Sequence, residues 1–284
     1  MARRTVLFSP GDQPDLLRKA PDSGTDVVVF DLEDAVAPGE KDRARKTVCS
    51  VLDELTADCE VCVRINPLAG SGIDDLDALS GHWDAVDSVM LPKVSGPDAV
   101  GRLREEFTDR GVERPVLALL ESAGGILDAE AIADERGVDA LLVGAEDLAA
   151  DIGATRTDDG DEISYARQRV VLAASAAGID AIDTLVTDFE RTAYLEAESE
   201  RAVQFGFDGK MAIHPAQVPV INDAFTPSEE TLDWARRVLS AKAEAERDGR
   251  GVFAVDGEMI DAPLIAQAEQ VAERAEAAGI DVTE

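Results

Sequence analysis

Eight short apolar runs, each followed by a stretch of helical pattern, constrain this chain more than any other feature. The runs are Thr5–Ser9, Val27–Asp31, Val61–Ile65, Ser88–Leu91, Val116–Leu120, Ala140–Val143, Ile179–Ile182 and Gly209–Ile213. They are continuous rather than alternating, so each suits a strand buried on both faces, as in a parallel sheet covered by helices. The segments between them carry the helical period. In Tyr165–Ala177, for example, Ala166, Val170, Ala173, Ala174 and Ala177 share one side. Eight such units predict an α/β fold, a (β/α)8 TIM barrel. A length of 284 residues holds one such barrel with a remainder.

The barrel is expected over residues 1–227, with 228–284 as a C-terminal helical arm or lid. Ser228-Glu-Glu-Thr231 has capping-box spacing and opens a helix expected to run to about Asp248 and stop at Gly249. Val252–Asp261 reads as strand-like or lid-like. Pro263 sits where a first-turn proline belongs, and a last helix is expected to about Ala278, before Gly279.

Composition narrows function by exclusion. The chain has 59 acidic and 27 basic residues, a formal net charge of −32. A nucleic-acid binder needs a basic stripe, which is missing here. The acids are dispersed, and only six of the bases are lysine. That is the habit of a protein from a halophilic cell, where molar salt shrinks the Debye length to about 3 Å and screens self-repulsion. An ordinary acidic protein with a basic partner is the other reading. No apolar run approaches ~20 residues, so no membrane span is expected. The N-terminus lacks the pattern of a signal peptide, so a cytoplasmic protein is expected.

Cys59-Glu-Val-Cys62 has no second pair, and with Cys49 these read as buried thiols rather than a metal or redox site. His82 and His214 are the only histidines, which rules out a His-rich metal site. No G-x-S-x-G, Walker or G-x-G-x-x-G pattern is present.

In such a barrel the active site lies at the C-terminal ends of the strands. Those ends carry Asp31, Glu33, Asp34, Arg64, Lys93, Glu121, Glu146, Asp147, Asp183 and His214. So many acids at one rim call for cations to neutralise them. Glu121 and Asp147 are oxygen donors on neighbouring strand ends. They suit Mg2+, which keeps several waters and takes few protein ligands; Mn2+ is the other fit. The alternative is that one of them pairs with Arg64 or Lys93. Arg64 can hold a substrate carboxylate or stabilise an enolate oxygen. It can equally pair with Asp31 or Glu33, and both can hold together. By position alone Asp261 reads as a helix N-cap or first-turn acid before Pro263.

Eight motifs occur in order: Val-Leu-Phe-Ser-Pro-Gly near the start, Asp31-Leu-Glu-Asp-Ala-Val36, Val63-Arg-Ile-Asn66, Leu91-Pro-Lys-Val94, Leu120-Glu-Ser-Ala-Gly124, Gly144-Ala-Glu-Asp-Leu148, Gly209-Lys-Met-Ala-Ile-His-Pro215 and Gly257-Glu-Met-Ile-Asp261. Together they resemble the citrate lyase beta-subunit-like family, which includes malyl-CoA, β-methylmalyl-CoA and citramalyl-CoA lyases. The likeness spans essentially the whole chain.

The resemblance implies a TIM barrel that breaks or makes a carbon–carbon bond between an acyl-thioester carbon and a 2-oxo acid, glyoxylate or pyruvate. It implies Mg2+ on Glu121 and Asp147. It also implies a homotrimer or homohexamer whose C-terminal arm reaches a neighbour's barrel mouth, where Asp261 acts in trans. Within that scheme Arg64 is expected to stabilise the enolate oxygen, Asp261 to move the proton at the enolate carbon, and Glu33 and Asp34 to orient Arg64 and the water on the metal. A CoA thioester carries phosphates, and the nearest bases to the first strand are Arg3, Arg4, Arg18 and Lys19. Lys19 is the chosen phosphate contact. Other readings are a malyl-CoA thioesterase with the same metal, a citrate lyase beta subunit acting on an acyl-carrier-protein thioester, and a non-enzymatic CoA-binding module. Retention of Glu121, Asp147, Arg64 and Asp261 speaks against the last.

Overall fold

The computed structural model describes residues 2–247 and 252–282. It divides into two units, Arg3–Asn222 and the chain from Asp223 onward.

The first unit contains eight parallel strands closed in sequential order: β1 (Thr5–Pro10), β2 (Val27–Asp31), β3 (Glu60–Arg64), β4 (Ser88–Leu91), β5 (Val116–Leu120), β6 (Val138–Val143), β7 (Asp180–Asp183) and β8 (Gly209–Ala212). This is the expected TIM barrel, with strand ends moved by one or two residues. Between the strands lie α1 (Pro14–Lys19), α2 (Lys41–Leu52), α3 (Gly72–Ala78), α4 (Pro97–Asp109), α5 (Ala123–Leu127), α6 (Ala129–Ala133), α7 (Ala145–Asp151), α8 (Ser164–Ala177) and α9 (Thr192–Phe205). After β8 comes α10 (Val218–Phe225).

The continuous apolar runs have the structural outcome their pattern requires. β2 is buried at every position. Val27 and Val29 point into the barrel, packing with Val6, Met90 and Leu142. The alternate residues face the helices. Each such side chain taken out of water stabilises the fold by ~1.5–3 kcal/mol.

One cation ties the N-terminal end of the barrel. Arg3 donates to Glu60 at 2.7 Å, Asp180 at 2.9 Å and Asp139 at 2.5 Å. Arg4 holds Asp26 at 2.8 and 2.9 Å. Both arginines are therefore committed to structural pairs, which removes them from the basic patch expected near β1. Arg18 lies 3.5 Å from Glu54.

The second unit is built on α11 (Glu229–Arg247), the strands β9 (Phe253–Val255) and β10 (Glu258–Ile260), and α12 (Ala262–Ala277). Ser228 Oγ accepts from the Thr231 amide at 3.3 Å and starts α11 as its spacing predicts. The end expected at Asp248 and Gly249 lies outside the described residues. The two helices share a small core of Ala235, Val238, Ile260 and Ala268. The segment read as strand-like or lid-like is an antiparallel hairpin. Its turn is Asp256-Gly257, with φ of 52° and 86°. Asp-Gly is the dipeptide that tolerates two such angles in a tight hairpin. Among the described residues no helix is long and apolar enough to cross a membrane.

Candidate active site

A cavity of about 270 Å3 opens at the C-terminal end of the barrel, lined among others by Phe8, Asp31, Asp34, Arg64, Glu121 and Asp147. Four of the seven predicted site residues therefore meet around one space. Glu33 stands directly behind them.

Arg64 ends β3 opposite Asp31 on β2. Its Nε and Nη2 donate to the two Asp31 oxygens at 2.7 and 2.6 Å. Its Nη1 lies 3.1 Å from Glu33 Oε2. The Phe8 ring packs 4.9 Å from the guanidinium carbon. The ion-pair alternative holds: Arg64 is paired with Asp31 and Glu33, and it also lines the cavity. Asp31 takes two of its five donors, which leaves the Nη1 edge for Glu33 and the cavity. Burial alone would lower the guanidinium pKa. The hydrogen bonds and charge of Asp31, with Glu33 behind, overcome that and raise it, so Arg64 stays charged.

Glu33 is 2 % exposed. Its Oε1 accepts from Lys93 Nζ at 2.5 Å and its Oε2 from the Asp34 amide at 3.0 Å. Burial pushes its pKa up against the pull of Lys93 and Arg64. Asp34 lines the cavity. Burial would raise it too, but the neighbouring Glu33, Lys93 and Arg64 outweigh burial and hold it below the usual carboxylate range.

Glu121 follows β5 and is 7 % exposed. Its Oε2 accepts from the Lys93 backbone amide at 2.9 Å. Its side chain lies across Gly144, where a Cβ would stand 2.4 Å from Glu121 Cγ and 2.8 Å from Oε1. Burial pushes Glu121 up to about 8, helped by the charges of Asp147 and Glu33. Asp147, in the first turn of α7, lines the same cavity. Among the described residues neither Glu121 nor Asp147 forms an ion pair with a side chain. The pair therefore has no ion-paired cation of its own among the described residues, and a divalent cation between them would supply one. Among the described residues no three His, Cys, Asp or Glu side chains are grouped to hold a metal. An ion here would take two protein ligands and fill the rest with water or substrate, as Mg2+ does.

Other predicted residues sit elsewhere. Lys19 is exposed at the end of α1 and does not line the cavity. Asp261 belongs to the second unit, where its Oδ1 accepts from the Leu264 amide at 3.4 Å and caps α12. Asp183, counted among the rim acids, is fully buried. It accepts from Arg167 at 2.9 and 2.8 Å and from Lys210 at 2.6 Å. The cations that the rim acids call for are supplied to Asp31 and Asp183 by the chain's own Arg64, Arg167 and Lys210. His214 stacks on Phe189 at 4.5 Å. The cysteines are free; Cys62 is buried as expected, whereas Cys49 and Cys59 are only half-buried, and burial pushes Cys62 up to about 12, which leaves its thiol inert.

The sequence underrated three residues. The sequence offers Asp31 only as a partner for Arg64, yet in the structure it also accepts from the amides of Glu33 and Ala35 and fixes the turn after β2. Lys93 links two of the carboxylates. Gly144 makes room for Glu121. The Pro-Lys pair after β4 and the Gly after β6 were the available signals, but neither reveals geometry.

A model of the HpcH/HpaI aldolase/citrate lyase family matches residues 4–215. A mitochondrial citramalyl-CoA lyase of Mus musculus is 37% identical over 287 residues, covering 95% of this chain and 85% of the relative. A citrate lyase subunit beta of Leuconostoc mesenteroides subsp. cremoris is 36% identical over 286 residues, covering 97% and 94%. The crystal structure of protein CitE from Mycobacterium tuberculosis, in complex with magnesium, acetoacetate and coenzyme A, superposes with a TM-score of 0.80. It is 37% identical and covers 97% of this chain and 98% of its own.

Proposed function

The chain belongs to the HpcH/HpaI aldolase/citrate lyase family, and from that premise we propose that it is a Mg2+-dependent carbon–carbon lyase. Its substrate would be a 3-hydroxyacyl-CoA with a carboxylate beside the hydroxyl carbon, such as malyl-CoA, β-methylmalyl-CoA or citramalyl-CoA. Its products would be a 2-oxo acid, glyoxylate or pyruvate, and an acyl-CoA. The observation that carries this reading is the carboxylate pair Glu121 and Asp147, with no ion-paired cation of its own among the described residues, beside a clamped Arg64.

Glu121 and Asp147 would hold the metal. When bound, it supplies Lewis acidity toward the oxygens that become the 2-oxo acid. As the substrate hydroxyl gives its proton to water in the site and becomes the carbonyl of the 2-oxo acid, the carbon–carbon bond breaks, its electron pair moves into the acyl thioester and charge grows on the thioester oxygen. Arg64 offers its Nη1 edge to that oxygen. Asp31 fixes the guanidinium in advance, so little reorganisation is needed when the charge appears. Glu33 and Asp34 keep Arg64 and the water near the metal oriented. Asp261 delivers a proton to the enolate carbon, and takes it away in the condensing direction. We assign that step to the Asp261 of a neighbouring subunit in a homotrimer or homohexamer. Lys19 is the proposed CoA phosphate contact, since it is exposed and has no ion pair among the described residues. We place the enzyme in the cytoplasm of a halophilic cell.

The test is a substrate panel. Purified protein with Mg2+ is given each hydroxyacyl-CoA, and 2-oxo acid, acyl-CoA and free CoA are measured. Equal amounts of 2-oxo acid and acyl-CoA are expected. Free CoA with intact hydroxy acid would instead identify a thioesterase. No cleavage without an acyl-carrier protein would identify a citrate lyase subunit.

A further inference from the structure

Two non-glycine residues among those described have a left-handed backbone, Asp256 at φ 52° and Lys93 at φ 56°. The hairpin turn accounts for Asp256. No turn of that kind holds Lys93, which follows β4 and Pro92. A lysine gains nothing intrinsic from this conformation, and backbone strain persists only where its surroundings enforce it.

The surroundings are two carboxylates. The Lys93 amide donates to Glu121 Oε2 at 2.9 Å. Its ammonium donates to Glu33 Oε1 at 2.5 Å and lies 3.5 Å from Asp34. With the amide fixed on Glu121, φ decides where the side chain points. The left-handed value sends the stem to Glu33, which in turn touches Arg64. One residue thus joins the acid after β5 to the acid after β2. Lys93 does not line the cavity. A plain surface ion pair explains the ammonium contact but not the strained backbone, since such a pair contributes too little to hold it.

We propose that Lys93 is a positioning residue of this site: its amide sets Glu121, and its ammonium sets Glu33 and through it Arg64. The inference rests on the reading of Glu121 as a metal ligand.

The two halves separate by substitution. Lys93→Gly favours the left-handed backbone and keeps the amide but deletes the ammonium. Lys93→Val keeps no charge, and its branched side chain rejects positive φ, so the amide leaves Glu121. Lys93→Arg keeps the charge. Mn2+ affinity is measured by titration without substrate, and kcat and KM by product release. Loss of an outer-shell partner typically costs ~10–100-fold. Lys93→Val is therefore expected to weaken Mn2+ binding by roughly 10–100-fold. Lys93→Gly should bind Mn2+ much as wild type, with kcat down roughly tenfold or more and KM little changed. Lys93→Arg should recover most of that kcat.

Wild-type Mn2+ affinity in folded Lys93→Val overturns the role of the amide. Wild-type kcat in Lys93→Gly overturns the role of the ammonium. If Lys93→Val does not fold, Lys93→Ala, whose Cβ also disfavours positive φ, tests the amide in its place, and wild-type Mn2+ affinity there overturns that role. A wild-type protein that binds no Mn2+ is a different result: it sinks the metal reading, and this inference with it.

Discussion

Adding one methyl group at Gly144 should disable the site without changing a charge. A Cβ at that position stands 2.4 Å from Glu121 Cγ and 2.8 Å from its Oε1. Carbon atoms pack at about 3.5–4.0 Å, so the overlap at Cγ is about 1 Å deep. Cγ is not the free end of the side chain, so a small rotation of the carboxylate does not relieve it. Either the Glu121 stem swings away from the Lys93 amide, or the turn between β6 and α7 backs off and takes Asp147 with it. Both outcomes separate the carboxylate pair.

Overpacking of this kind costs ~1–3 kcal/mol. In a domain of this size that lowers Tm by roughly 2–4 °C per kcal/mol, so the variant stays folded at moderate temperature. The functional loss is larger. A misplacement of about 1 Å is worth roughly 100-fold in rate. Gly101 in α4 is the control, since nothing lies within 4 Å of a Cβ there. Gly101→Ala should stabilise by ~0.5–1 kcal/mol and leave metal binding alone. The assay is Mg2+ titration by calorimetry alongside kcat. A folded Gly144→Ala with Mg2+ affinity and kcat within about twofold of wild type, inside the scatter such measurements allow, would refute the placement of Glu121 as a metal ligand.

Asp261→Asn should lower kcat by roughly 10²–10⁴-fold with KM for the acyl-CoA little changed. Mixing it with an inactive Asp147→Asn, with subunit exchange checked by mass, should restore some activity. No recovery would mean that Asp261 serves its own barrel or only caps α12. Moving the protein from about 2 M to about 0.1 M KCl should lower its Tm, because a net charge of −32 then repels over about 10 Å rather than about 3 Å. An unchanged Tm counts against the halophilic origin. Asp183→Asn leaves Arg167 and Lys210 facing a neutral amide, a loss of ~3–5 kcal/mol. Burial works to raise the Asp183 pKa, but Lys210 and Arg167 hold it below the ordinary value. Its contribution is therefore full above about pH 4 and fades as pH falls through the lower folded value. The gap in urea midpoint between wild type and Asp183→Asn should be flat near neutrality and close in acid; a gap that widens in acid refutes the pairing.

What could be seen in the sequence depended on the range of the physics involved. The strands were legible because burial on both faces leaves a continuous apolar run, a purely local mark. The hairpin is equally local: Asp256-Gly257 is its turn signal, inside a segment whose pattern otherwise reads as strand-like or lid-like. Arg167 shows the opposite case. It is fully buried among Ala166, Val170, Ala173 and Ala174 on the inner face of α8. The helical period places it there, but Asp183, sixteen residues on and reached through the fold, together with Glu198, makes a buried arginine tolerable. The candidate residues at the mouth were found by residue type and order along the chain. Their clamps were not, because the left-handed backbone of Lys93 and the close approach at Gly144 leave no trace in periodicity.

The rim acids sort by whether the chain itself neutralises them. Asp31 has Arg64, Glu33 has Lys93 and Arg64, Asp183 has Arg167 and Lys210, and Glu146 has Arg156. This happens in a chain with only 27 basic residues against 59 acidic ones. The bases are scarce, yet several are committed to this one rim. Against that pattern, Glu121 and Asp147 stand out, since the first is buried and neither has an ion-paired side-chain cation among the described residues. Leaving a buried carboxylate unpaired costs several kcal/mol unless it takes up a proton, and burial does push Glu121 up to about 8. A lysine placed between them would balance one charge and fill the space where a substrate oxygen must sit. A small divalent ion balances both charges and leaves coordination positions open for substrate and water. The partition of the acids therefore supports the metal reading independently of any likeness to known lyases, and it ties that reading to Glu121 and Asp147 rather than to the more numerous acids beside them.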